Sequence, residues 1–117
     1  MLREIDATLQ TKGGPFHRWF TDEYFDFHLW EDASGRVVRW QLVYGKGGST
    51  GAFEWREGGP LNHFHVDEGE TPGRPKASPL LTPADAPLVQ EVLRRFQAAA
   101  AGLPPSLRAP VLSQFPA

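Results

Sequence analysis

Residues 24–44, YFDFHLWEDASGRVVRWQLVY, alternate apolar and polar side chains on both sides of a short polar turn, the pattern of an antiparallel hairpin with one buried face. Successive side chains of a strand point to opposite faces, so Phe25, Phe27, Leu29, Val38, Trp40, Leu42 and Tyr44 form one set. Asp26, His28, Arg39 and Gln41 form the other. Matching Leu29 with Val38, Phe27 with Trp40 and Phe25 with Leu42 leaves Asp32-Ala33-Ser34-Gly35 as a loop of turn-forming composition. That register sets His28 against Arg39 and Asp26 against Gln41. A slip of one residue would carry every apolar side chain to the wrong face, so parity is better specified than register.

The alternation continues outward. Phe53, Trp55, Phe64 and Val66 extend the apolar set, and Glu54, Arg56, His63, His65 and Asp67 extend the polar one. Between the second and third strands, the glycine-rich link 45–51 lets Tyr44 pair with Phe53 or with the residue two positions earlier; the first choice places Gln41 against Arg56. Pairing Trp55 with Phe64 across Glu57-Gly58-Gly59-Pro60 sets Arg56 against His63 and Glu54 against His65. On this reading parity places His28, His63 and His65 on one side of the sheet.

Upstream, Ile5, Ala7 and Leu9 alternate as in a strand, while Leu2, Ile5 and Leu9 also suit one helical face, so 2–10 fits either element. Thr11-Lys12-Gly13-Gly14-Pro15 is a turn, and a new element begins around Phe16 to Phe20. Downstream, the stretch 67–79 has three prolines and two glycines and reads as an irregular surface crossing. Leu88, Val89, Val92, Leu93, Phe96 and Ala100 then recur at helical spacing, with Asp85 as N-cap, Pro87 in the first turn and Gly102 at the end. Ser106 can cap a second short helix carrying Leu107, Val111, Leu112 and Phe115, interrupted by Pro110. The expected fold is α+β: an antiparallel β-meander of four or more strands, with one main C-terminal helix and a second short helix on the apolar face. Residues 1–117 read as a single domain, with the sheet at about 5–67, the crossing at 68–79 and the helical tail at about 83–115.

Composition narrows the function classes. A formal net charge of -2 offers no basic footprint for nucleic acid. Cysteine is absent, which excludes disulfides, thiolate nucleophiles and Cys-ligated metals. The chain has neither a signal-peptide pattern nor a membrane-length apolar run, so a cytoplasmic location is expected and no membrane partner. All aromatic residues but Phe96 and Phe115 lie between Phe16 and Phe64, which makes the sheet the bulky half.

His63-Phe64-His65 is the sharpest chemical feature, because two imidazoles one residue apart on a strand can reach one ion. A divalent metal would be held by His63, His65 and Glu54; no other cofactor is expected. The stretch resembles the first cupin motif through Gly58, His63, His65 and Glu70, although its glycine is one residue too close and the second motif is missing. An organic or anionic ligand would instead use His28, Arg39, Glu54, Arg56, His63 and His65. The same groups also satisfy one another as a solvated polar face. Gly45-Lys46-Gly47-Gly48-Ser49-Thr50 could form an anion nest but lacks the P-loop order, and no serine sits in a nucleophile elbow. Trp19, Tyr24 and Trp30 are candidates for a partner surface or a homodimer contact.

The run Trp19-Phe20-Thr21-Asp22-Glu23-Tyr24-Phe25-Asp26, with Gln41-Leu42-Val43-Tyr44-Gly45-Lys46-Gly47-Gly48 and Trp55-Arg56, resembles small uncharacterised bacterial single-domain proteins with a W-F-x-x-x-Y-F-D start and a Q-L-x-Y-x-K-G-G hairpin. The resemblance brings no activity and no functional residue. Two functions remain: a non-enzymatic binding or protein-interaction domain using the polar sheet face and nearby loops, or a metal- or ligand-binding enzyme with a His/Glu/Asp cluster.

Overall fold

The computed structural model describes residues 1–5, 10, 13–48, 50–65, 76–78 and 86–115. Seven strands among them, β1 (Arg3–Glu4), β2 (Phe16–Thr21), β3 (Asp26–Glu31), β4 (Val37–Tyr44), β5 (Gly51–Arg56), β6 (Asn62–His65) and β7 (Lys76–Ser78), form one antiparallel sheet in sequential order. Two helices, α1 (Ala86–Ala99) and α2 (Pro105–Leu112), complete an α+β meander. Their apolar side chains share one core with the sheet. Phe96 of α1 meets Phe25 and Phe27 edge-on, and Phe115 packs against Trp40 and Phe53. Trp40 Nε1 donates to the Pro110 carbonyl at 3.1 Å, so its one polar atom is satisfied inside the core.

The first hairpin keeps the expected parity in a different register. Phe27 pairs with Leu42 and Leu29 with Trp40, two residues from the expected match, and His28 consequently faces Gln41 while Asp26 faces Val43. A bulge after Trp30 leaves Val38 over, so Val37 instead of Val38 is buried. Asp32 closes the turn by accepting from the Ser34 and Arg36 backbone N–H groups, and Gly35 supplies the positive φ. The second hairpin takes the earlier alternative: Tyr44 pairs with Gly51, which sets Gln41 against Glu54 and Arg39 against Arg56.

In the third hairpin the parity itself differs. Phe53 pairs with His63, Ala52 with Phe64 and Glu54 with Asn62, a shift of three residues. An odd shift exchanges faces, so His63 enters the core and Phe64 leaves it. The crossing also contains regular structure: Lys76–Ser78, a window between two prolines, pairs its backbone with β6 as a three-residue strand. The expected positions of Val66, Asp67, Glu70 and the Asp85 cap lie outside the described residues. Pro104, not Ser106, occupies the cap position of α2, with proline in its first turn.

Candidate functional site

The face of the sheet opposite the helices is built from three cross-strand rows. Thr21, Asp26, Val43, Ala52 and Phe64 form one, Trp19, His28, Gln41, Glu54 and Asn62 the next, and His17, Trp30, Arg39 and Arg56 the third. Neighbouring rows interdigitate between β2 and β3 into a stack of planar groups. Trp19 lies against His28 at 5.4 Å between centroids, His28 against His17 at 5.0 Å, and His17 against Trp30 at 4.6 Å with planes 7° apart. The Arg39 guanidinium covers the next face of Trp30 at 4.2 Å from the ring centre. Every member of this column is half-buried.

Within the column the two imidazoles share a hydrogen bond, His17 Nε2 to His28 Nδ1, of 2.8 Å. Burial, followed by the neighbouring His17 and then Arg39, holds His28 below the ordinary imidazole value, with Asp26 pulling the other way. This environment favours the neutral imidazole of His28. A side-chain amide fixes the backbone beneath: Gln10 accepts from the His17 N–H at 2.8 Å and donates to the His17 carbonyl at 2.7 Å, reproducing the pairing of a neighbouring strand.

Each end of the column is anchored by a carboxylate. Asp26 accepts from Trp19 Nε1 at 3.1 Å, Thr21 Oγ1 at 2.7 Å and Lys46 Nζ at 3.2 Å. Burial alone would raise the Asp26 carboxyl, but these three donors together hold it below its usual range. Lys46 also donates to Thr21 Oγ1 and the Asp22 carbonyl, so the only cation of the glycine-rich loop is committed to the end of β2 rather than to an anion nest. At the other end Glu54 meets Arg39 at 3.5 Å and Arg56 at 3.2 Å. Arg39 Nε is buried and has no hydrogen-bond partner among the described residues.

His28, Arg39, Glu54 and Arg56 thus share a face and touch through a chain of contacts, together with Trp19 and Trp30. His63 does not join them. It is 2% exposed in the core, stacked on Phe53 at 4.4 Å, and shares a 2.6 Å hydrogen bond with the Tyr44 hydroxyl. The His63, His65 and Glu54 ligand set expected for a metal is therefore divided: Glu54 is on the outer face and His63 in the core. Among the described residues, no three His, Cys, Asp or Glu side chains gather as a metal group. Tyr24 also separates from Trp19 and Trp30. It packs edge-on against Phe25 and beneath Arg95 of α1, at an open cleft of about 350 Å³ on the helix side. There Arg94 and Arg95 are both held by Glu91.

His17 was missing from the expected set. Phe16-His17-Arg18-Trp19-Phe20-Thr21 does not alternate, so its own pattern fixes no parity; a short turn through Asp22 to Phe25 brings His17 opposite Trp30. Asp22 makes that turn by accepting from the Tyr24 and Phe25 N–H groups. No protein-family model, curated protein or solved structure matches this chain.

Proposed function

We propose that the chain is a non-enzymatic binding domain that engages a protein or peptide through the Trp19–His28–His17–Trp30–Arg39 column. The observation that carries this reading is the column itself: five planar groups locked side by side over three strands and half-exposed on a face that carries no helix among the described residues. Aromatic rings and arginine are the side chains that anchor protein interfaces, because they present large contact areas with little conformational freedom left to lose. Here stacking has already removed that freedom before a partner arrives. The charges beside the column are paired with one another, which suits a recognition surface. The absence of cysteine supports a reducing, cytoplasmic setting. A second copy of the chain is one partner the surface could meet. Among the described residues no helix is long and apolar enough to cross a membrane.

The test is selection of binding peptides from a random display library, followed by backbone amide mapping on the full chain. Shifts should concentrate at Trp19, His28, Trp30 and Arg39, and Trp30→Ala should weaken the selected peptides by about tenfold or more. Peptides that map to the helix side, or that bind Trp30→Ala unchanged, overturn the reading. Sedimentation at high micromolar concentration tests self-association: a dimer that Trp30→Ala dissolves identifies the second copy as a partner, whereas a dimer insensitive to it puts that contact elsewhere.

A further inference from the structure

We propose that the His17–His28 pair makes this face a proton-coupled receptor for an acidic peptide, one proton being taken up by the pair as a carboxylate binds. The inference rests on the binding-surface reading above and adds the ligand class and its coupling to pH.

The geometry sets the proton count. An N···N contact of 2.8 Å between two imidazoles holds one proton between the rings. Each ring keeps one nitrogen outside that bond, Nδ1 of His17 and Nε2 of His28. In the neutral pair one of these carries a hydrogen and the other does not, so a carboxylate meets a single donor. One added proton makes both outer nitrogens donors and turns the inner bond into a charge-assisted one. A second would set two N–H groups against each other across 2.8 Å, so uptake stops at one.

Burial and the neighbouring His17 and Arg39 favour the neutral form of the His28 imidazole in the free chain, with Asp26 opposing them. Trp19 and Trp30 enclose the pair with indole faces, which favour a cation. The charged groups facing it among the described residues are Asp26 on β3, Arg39 on β4, Glu54 and Arg56 on β5, and Lys46 in the following loop of β4. Both carboxylates are already committed, Asp26 to Lys46 and Glu54 to the two arginines. Among the described residues, three cations against two carboxylates leave a positive excess here, on a chain whose net charge is -2. The Arg39 guanidinium is also incompletely satisfied at Nε. An incoming carboxylate supplies the charge that this face lacks, and the proton follows it. A peptide fits better than nucleic acid, whose binding depends on neutralising many phosphates rather than on one excess charge.

Calorimetry of the full chain with a (Glu-Gly)5 peptide, in two buffers of different ionisation enthalpy, counts the protons directly. The expected result is uptake between zero and one proton per complex at pH 7. Affinity should rise as pH falls from 8 to 6, by at most about tenfold per unit. His17→Asn and His28→Gln should retain weak binding but lose both the uptake and the slope. Zero uptake by the wild-type chain, a slope approaching two protons, or an oligo-dT strand binding more tightly than the peptide each overturns the inference; the wild-type proton count decides the matter even where a variant misfolds. Display-selected neutral peptides that still map to Trp19 and Trp30, with (Glu-Gly)5 not binding, would remove the inference and leave the binding-surface reading standing. No binding of either kind at this face removes both.

Discussion

Two histidine environments lie on opposite faces of the same sheet. His63 is enclosed between Phe53 and the Tyr44 hydroxyl in the core, where its imidazole serves as a flat, hydrogen-bonded packing element. His28 is half-buried between Trp19 and His17 on the outer face, where it is bonded to another group that can exchange protons. Histidine identity alone therefore says little. A ring matched to a phenol in the core contributes mainly to stability, while a ring matched to a second imidazole at a half-open surface can change charge.

This difference predicts that disturbing the core side costs folding free energy, and disturbing the outer side costs response and recognition. The largest effect is expected from His63→Ala, which takes the imidazole from Tyr44 and opens a cavity beside Phe53. A loss of about 2–4 kcal/mol in urea unfolding is anticipated; a loss below about 1 kcal/mol would dissolve the distinction. Next comes Gly51→Ala. A Cβ at Gly51 would run into the end of the Tyr44 side chain and lie 3.0 Å from the Phe64 carbonyl oxygen, so about 1–3 kcal/mol should be lost, together with the near-ultraviolet signature of Tyr44.

Outer-face changes should be milder. Trp30→Ala removes the ring that His17 and Arg39 stack on and should cost about 0.5–1 kcal/mol of stability, while weakening partner binding by about tenfold or more. The pH response separates the two histidines further. Because the folded-state value of His28 is depressed below its ordinary 6.5, the unfolded chain binds the proton more readily. Its stabilising share is complete above that value and is lost as pH falls below it toward the folded-state value. With the ring partly solvent-screened the change should stay below about 1 kcal/mol, and His28→Gln should flatten it in unfolding curves recorded from pH 7.5 to 5. Smallest of all, Arg56→Ala should leave stability within about 0.5 kcal/mol, since its side chain is 66% exposed and its partner Glu54 keeps Arg39.

Much of the arrangement was legible from alternation. The hairpin 24–44 announced which side chains of β3 and β4 face inward, except beside the turn where the bulge buries Val37 in place of Val38, because apolar residues at period two permit one parity only. His28, Arg39, Glu54 and Arg56 were placed correctly on the outer face for the same reason. The first-hairpin register was not legible, because a bulge changes pairing without altering which face a well-patterned strand buries. His17 was not legible, because polar His17-Arg18 and apolar Trp19-Phe20 stand side by side in β2 and fix no parity.

The last strands show where sequence stops deciding. Asn62-His63-Phe64-His65 alternates histidine with phenylalanine, and hydrophobicity alone assigns Phe64 to the core and both histidines to solvent. The fold reverses His63 and Phe64: Tyr44 offers a hydroxyl, Phe53 a ring face and Gly51 the space for the Tyr44 side chain, so a buried His63 costs little, while Phe64 lies over Ala52 on the outer side. By itself the sequence determined an α+β meander and the inward face of its central strands, since a period-two pattern is a local property of the chain. Only the tertiary structure decided which histidines meet, because satisfying a buried imidazole requires a partner from a strand far along the sequence.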